Sequence, residues 1–270
     1  MFSKLLKYDF KAMKRFGFPL LFGIAGAAIV GALAAFVLSR TVESGAEGFG
    51  LFLLITGSTM LLLMTVIMLA VAFSAITVMI YVNFYKSLVT DEGYLTFTLP
   101  VQAKDIIRAK LLNGVLWMIM VGLAIVAAFA LILTPMNIWG EFSLIFEDAF
   151  FSFKSAPLLA VLYLLFISTA TVNTLLLYFV AIFFGSVIAK KNKLLASIGC
   201  VLGINFVYSM GSGIVSVIVS LLFGSLSLFG GDVALGMCLL IGFYVAALTG
   251  LNVLFYYLLK HMMEKRLNLA

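Results

Sequence analysis

The chain carries little charge for its size. Only 28 of its 270 residues (10%) are Asp, Glu, Lys or Arg, too few to cover the water-facing surface of a soluble protein of this length. Proton-coupled carriers, voltage sensors and most ion pumps keep ionisable side chains at membrane depth. Here every charged residue lies outside the cores of the long apolar stretches. The sequence therefore argues against these three classes of membrane protein.

Histidine and cysteine are also scarce. The only histidine, His261, lies beyond the last long apolar stretch, and Cys200 and Cys238 are the only cysteines. These three side chains cannot supply a structural zinc site or a disulfide framework. The Gly-Ser-Gly triplet at 211–213 resembles a serine-nucleophile turn, but no intramembrane histidine can activate the serine. We therefore expect no catalytic residue, no metal and no cofactor.

A phosphate-binding loop is missing as well. No glycine in the chain is followed by lysine, so the pattern GxxxxGK[ST] does not occur. If ATP drives a process that involves this chain, another polypeptide binds the ATP. The net charge of +6 does not indicate nucleic acid, because the basic residues occur in short clusters between apolar runs rather than on one solvated face.

Hydrophobic residues make up 64% of the chain, against ~45–50% in soluble domains. Six stretches without charge each exceed the ~20 residues that a helix needs to cross ~30 Å of hydrocarbon. The predicted fold class is an all-α integral membrane protein with six transmembrane helices. The predicted spans are 18–38, 52–82, 112–134, 158–189, 194–223 and 234–259.

Prolines and glycines predict where these helices are interrupted. Pro19 falls at the start of the first predicted span, and no proline falls well inside a span. The stretch 194–231 is too long for one crossing, since as a single helix it would extend ~57 Å. We expect a break or a short re-entrant piece before helix six, at one or more of the glycines Gly211, Gly213, Gly224, Gly230 and Gly231.

The distribution of Lys and Arg predicts the orientation. Fifteen of the 17 lie in the amino-terminal segment, the loops 83–110 and 190–193, and the carboxyl-terminal segment. The alternate loops hold only Arg40 and Lys154. By the positive-inside rule, both termini are predicted to be cytoplasmic.

Residues 1–17 are predicted to form an amphipathic interfacial helix, ahead of a transmembrane domain at 18–270. At 100° per residue, five basic side chains fall within one arc of about 100°, which favours contact with anionic lipid of the inner leaflet. Asp9 projects from the apolar side, where it either has a polar partner or reaches towards water. The basic residues are Lys4, Lys7, Lys11, Lys14 and Arg15.

Small residues recur every four positions within the predicted spans. Gly23, Ala27 and Gly31 follow one another on helix one, as Gly199 and Gly203 do on helix five. Such ridges let two helix backbones approach closely in lipid, either within this chain or at a seam between subunits. Four asparagines in or near the spans can bond between helices or line a path for an amphipathic solute: Asn113, Asn173, Asn205 and Asn252.

The loop 86–110 is the largest predicted cytoplasmic segment. A helix over 101–110 would place Lys104, Asp105 and Arg108 on one face, with Ile106 and Ile107 on another. We expect this amphipathic helix to lie parallel to the membrane. Its polar face is either a docking surface or simply solvated.

The same loop resembles a known family. The run DEGYL at 91–95, the run TLPV at 98–101 and the later Lys110 are similar to the acidic-Gly-x-Leu, Leu-Pro-Val and Lys pattern between helices two and three in membrane subunits of ABC-2 type ABC exporters. The six-helix plan and the basic amino-terminal helix agree with this resemblance. Gln102 departs from it, because many members carry serine there.

The resemblance implies a permease of the cytoplasmic (inner) membrane that forms a homo- or heterodimer. The loop would contain the coupling helix that contacts a separate ATP-hydrolysing subunit. A different interpretation of the chain is a non-transporting immunity or assembly factor that binds another membrane protein through its small-residue ridges. The residues expected to contribute to ATPase coupling are Glu92, Pro100, Lys104, Asp105, Arg108 and Lys110.

Overall fold

The computed structural model describes residues 2–44, 48–90, 102–136, 157–189, 192–228 and 233–267. Within these ranges the chain forms six long α-helices and one 3-10 turn, Thr134–Met136, and it contains no strand. The helices are α1 Phe2–Glu43, α2 Phe49–Val89, α3 Ala103–Leu133, α4 Pro157–Ile188, α5 Lys193–Leu228 and α6 Val233–Leu267.

All six of these helices are long and apolar enough to cross a membrane. The mean hydropathy of their most apolar segments ranges from 1.7 in α5 to 2.8 in α3. In hydrocarbon, a helix satisfies all its backbone hydrogen bonds internally, which no open sheet can do. The predicted all-α plan is confirmed for the described residues, with six helices long and apolar enough to span a membrane, and the chain has the character of a multi-pass membrane protein.

The chain divides into two compact units. The amino-terminal unit contains residues 7–43 of α1, 49–80 of α2 and 113–133 of α3. The carboxyl-terminal unit contains α4, α5 and α6, together with residues 2–6, 81–89 and 103–112 of the first three helices.

In the amino-terminal unit, α1 continues without a break through the boundary predicted at residue 17. Pro19 lies inside the helix rather than at its start, so the predicted interfacial helix and first span are parts of one helix. Packing on Trp117 explains the continuity. A Cβ on Gly17 would lie 2.0 Å from Cζ3 of the buried Trp117, and the indole ring also contacts Phe10 and Phe18, with centroids 5.2 and 6.1 Å away. This contact holds both sides of the boundary in place.

The small-residue ridge of α1 packs within the same unit over only part of its length. A Cβ on Gly31 would lie 2.9 Å from Cδ1 of Ile132 and 3.2 Å from Oγ1 of Thr65, and Ala27 is buried. Gly23, in contrast, has nothing near its Cβ position. The ridge therefore brings α1 close to α2 and α3 around residue 31.

In the carboxyl-terminal unit, α4 is the central helix and contacts both α5 and α6. Of the most apolar 18 residues, 61% are buried in α4, against 0% in α5 and 6% in α6. Two helices approach closely at Gly185, where a Cβ would lie 2.5 Å from the Cα of Ser197. The Ser197 hydroxyl donates a hydrogen bond of 3.0 Å to the carbonyl of Ile182 at the same crossing.

The break expected at Gly211, Gly213 or Gly224 does not occur, and Gly230 and Gly231 lie outside the described residues. The helix is unbroken from Lys193 to Leu228 and passes through Gly211 and Gly213 without a re-entrant turn. An isolated glycine costs a helix only ~1 kcal/mol, whereas freeing backbone groups in hydrocarbon costs several, so the helix continues. Gly199 and Gly203 have nothing within 4 Å of their Cβ positions, and they do not pack within the described part of the chain.

Candidate functional site

The start of α3 carries four of the six predicted coupling residues. The helix begins where the Gln102 carbonyl accepts hydrogen bonds from the N–H groups of Asp105, at 2.9 Å, and Ile106, at 3.4 Å. Asp105 lies in the first turn, where a negative charge favours the amino end of a helix. Lys104 and Arg108 are exposed one turn apart, and we call this pair the cationic face of α3.

The apolar side of these turns is buried as predicted. Ile106 and Ile107 are 1% and 0% exposed, so the segment is fixed to the protein on one side. The predicted coupling helix is nevertheless not a separate helix, because α3 runs unbroken from Ala103 to Leu133. Leu111 and Leu112 favour helix and no proline follows within α3, so the backbone has no reason to end one helix and begin another.

The other predicted coupling residues do not join the cationic face. Lys110 is 4% exposed, and its side chain is therefore held inside the protein rather than presented beside Lys104 and Arg108. Glu92 and Pro100 lie outside the described residues. Their contribution to coupling stays a prediction.

A cavity of about 560 Å³ adjoins Arg108 in the carboxyl-terminal unit. Arg108 and Leu112 of α3 line it together with Leu176 of α4, and Asn252 and Tyr256 of α6. Its wall is largely apolar, with a guanidinium and an amide among the few polar groups. This arrangement is typical of a site for an amphipathic molecule.

Asn252 connects this cavity to a hydrogen-bonded cluster that spans three helices. The Asn173 Nδ2 donates to Asn252 Oδ1 at 3.0 Å, and the Tyr208 hydroxyl donates to Asn173 Oδ1 at 2.7 Å. Asn252 Nδ2 donates in turn to the Thr169 carbonyl at 3.0 Å. We call Asn173, Tyr208 and Asn252 the amide cluster. It joins α4, α5 and α6 at one level.

Asn173 of the amide cluster lies at the middle of α4. Asn173 is 16 residues from the start of the 32-residue α4, about 24 Å along the helix axis, and it is 2% exposed. Interhelical hydrogen bonds in membranes contribute about 0.6 kcal/mol each on average and up to ~1.7. Three of them in one place are a substantial part of what holds these helices together.

A second polar contact lies closer to the Gly185 crossing. Asn205 Nδ2 donates to the Tyr178 hydroxyl at 2.8 Å, and Tyr178 stacks on Tyr81 with ring centroids 4.5 Å apart. The Tyr81 hydroxyl is buried, and within the described part of the chain no group hydrogen-bonds to it. Phe84 and Phe179 extend the stack at 4.0 Å.

The predicted interfacial residues are on the surface of α1. Lys4, Lys7, Lys11 and Lys14 are exposed, whereas Asp9 is half-buried. The Lys14 ammonium lies 5.1 Å from the centre of the Phe18 ring. The interfacial role of these residues stays a prediction.

Sequence reasoning identified the asparagines but missed their tyrosine partners. Of the two roles considered for the asparagines, Asn173, Asn205 and Asn252 form bonds between helices. Tyr178 and Tyr208 gave a usable signal, because tyrosine in a membrane span normally lies at the interface and these two lie well inside. Because each hydroxyl lies well inside a span, a polar partner on a neighbouring helix could have been inferred for it.

No family model matches this chain, and no curated protein and no solved structure matches it either.

Proposed function

We propose that this chain is the permease subunit of an ATP-driven ABC exporter, coupled to a separate ATP-binding subunit. The observation that supports it most directly is the start of α3, where the exposed Lys104 and Arg108 stand opposite the buried Ile106 and Ile107. A docking element needs this combination, because the buried side fixes its position and the charged side selects the partner.

The continuity of α3 supports the same proposal. A displacement of the cationic face by the partner would move a helix that runs without a break to Leu133. No loop or hinge lies between the docking residues and the spanning segment, so little of the movement is lost. In this mechanism, ATP binding in the partner displaces the start of α3, and the displacement reaches the membrane interior through the helix itself.

The cavity beside Arg108 explains how movement of the start of α3 would be coupled to transport. It has Arg108 of the cationic face at one side and Asn252 of the amide cluster at another. A movement of the start of α3 therefore changes the shape of a largely apolar cavity that suits an amphipathic solute. We propose that this solute is the class of molecule exported.

We further propose that a second permease subunit covers part of α5. Exposed apolar side chains and the open Gly199 and Gly203 share this helix. Backbone contact at such glycines favours helix association in lipid. The alternative, an immunity or assembly factor, uses the same face to bind a different membrane protein.

Both termini are proposed to be cytoplasmic, on the basis of the 15 basic residues on one side. Single cysteines at the exposed Ser44 and Thr90, in a chain without Cys200 and Cys238, are expected to react with an impermeant thiol reagent from opposite sides. The readout is labelling of intact cells before and after permeabilisation. Labelling of both positions in intact cells would overturn the orientation.

The test of the function is the identity of the stable partner. An affinity-tagged chain purified from native membranes is expected to retain a polypeptide that hydrolyses ATP. ATPase activity of the eluate and mass spectrometry of its bands provide the measurement. Retention of another membrane protein, with no ATPase, would contradict the exporter and favour the immunity or assembly factor.

A further inference from the structure

A groove of about 940 Å³ lies in the carboxyl-terminal unit among α4, α5 and α6. Its inner part is apolar and is lined by Val180 and Phe184 of α4, Ile204 of α5, and Phe255 and Leu258 of α6. The volume is at the upper end of the ~300–1,000 Å³ typical of ligand sites. Phe184 and Leu258 are each 44% exposed, so the groove is open along its side to the surroundings of the helices.

One end of the groove is basic. Lys193 is the first residue of α5, and His261 and Lys265 lie one turn apart near the end of α6. Ten residues separate Phe255 from Lys265, about 15 Å along the helix. The groove therefore changes from apolar to cationic over a length comparable with half of the hydrocarbon thickness.

No acidic residue offsets these cations in the described lining of the groove. The nearby Glu264 carboxylate instead lies 3.7 Å from the ammonium of Lys260, one turn back on α6. Two ammonium groups and an imidazole thus face the open end. An occupant with a negative group at one end and an apolar body matches both parts of the groove.

We propose that this groove binds one anionic phospholipid. Lys193, His261 and Lys265 hold the phosphate, and an acyl chain extends along Ile204 and Phe255 towards the middle of the span. Basic pockets between spanning helices suit anionic headgroups. A zwitterionic lipid brings its own ammonium towards the lysines, and free phosphate leaves the apolar part empty, so both fit less well.

The test is native mass spectrometry of the full chain in non-ionic detergent, titrated with phosphatidylglycerol or phosphatidylcholine at low salt. The expected result is a saturable single adduct with phosphatidylglycerol, at concentrations well below those needed for phosphatidylcholine. Replacing Lys193 and Lys265 with Gln is expected to weaken the phosphatidylglycerol adduct about 30-fold. The same variant should leave the phosphatidylcholine adduct unchanged.

The matched control replaces the exposed Lys86 of α2 and Lys104 of α3 with Gln, which removes the same charge outside the groove. An equal loss in this control would show general charge attraction and would overturn the site.

Leu258→Trp fills the apolar part and is expected to weaken the phosphatidylglycerol adduct without removing a cation. Displacement of the lipid by inorganic phosphate at equal concentration would show that the acyl chain contributes nothing, and would also overturn the proposal. Equal melting temperatures of the lipid-free variants verify that each one folds.

Discussion

Replacing Gly185 with alanine is expected to destabilise the carboxyl-terminal unit by about 1–3 kcal/mol, the usual cost of overpacking. The added Cβ would lie 2.5 Å from the Cα of Ser197 and 2.7 Å from the carbonyl oxygen of Ala196. Both are backbone atoms, so no side chain can turn away and α4 and α5 must separate. Separation also stretches the hydrogen bond from Ser197 to the Ile182 carbonyl. The measurement is thermal or denaturant unfolding of the purified protein in detergent.

Gly250→Ala in α6 is the matched control. Nothing lies within 4 Å of its Cβ position, so alanine there is expected to be neutral or to stabilise the helix by about 0.5–1 kcal/mol. The two variants share the same change of residue and differ only in the contact. If Gly185→Ala is as stable as Gly250→Ala, α4 and α5 are not in contact at this glycine.

Reversing both charges of the cationic face, with Lys104→Glu and Arg108→Glu, is expected to weaken binding of the proposed ATPase subunit about 30-fold or more. Removing one partner of an interfacial charge pair commonly costs ~2–5 kcal/mol, and 1.4 kcal/mol corresponds to a factor of ten. The buried Ile106 and Ile107 are unchanged, so the variant should insert and fold normally. Binding is measured by titration of the purified ATPase subunit, and coupling by transport per ATP hydrolysed.

Lys11→Glu with Arg15→Glu provides the control for this reversal. These residues are also exposed, also four positions apart and also on the side predicted to be cytoplasmic. The control variant therefore changes the net charge by the same amount, at the same spacing, on a different helix. Equal weakening by both double variants would mean that the overall charge of the inner surface holds the partner, and the coupling role of α3 would be withdrawn.

The sequence predicts the spanning helices well because their signal is local. A stretch of twenty apolar residues without charge is expected to cross the hydrocarbon as a helix, and all six predicted spans are helical. The ends are less well predicted. Pro19 and Gly211 carry strong local signals for a break, yet α1 and α5 pass through both. In α1, tertiary packing on Trp117 decides the outcome, and in α5 the cost of freeing backbone groups in hydrocarbon does.

The candidate site was predictable only in part. Spacing alone separates Lys104 and Arg108 from Ile106 and Ile107, because positions four apart share a helix face. The burial of Lys110 depends on the tertiary neighbours around the third turn of α3. The spacing of residues along the chain carries no information about those neighbours. The groove around Lys193 and Lys265 brings together residues 72 positions apart in the chain, and no local pattern in either helix predicts that they meet.

The amide cluster makes the stability of α4 in the membrane depend on α5 and α6, which follow it in the chain. The hydropathy of α4 is 2.0, below that of α3, and Asn173 lies at its centre. If α4 enters the bilayer before α5 and α6, neither Tyr208 nor Asn252 lies beside Asn173, and an unsatisfied amide in hydrocarbon costs several kcal/mol. That cost is recovered only when α5 and α6 have been translated and can donate to and accept from Asn173. The free energy of placing α4 in the bilayer is thus a property of the last three helices together.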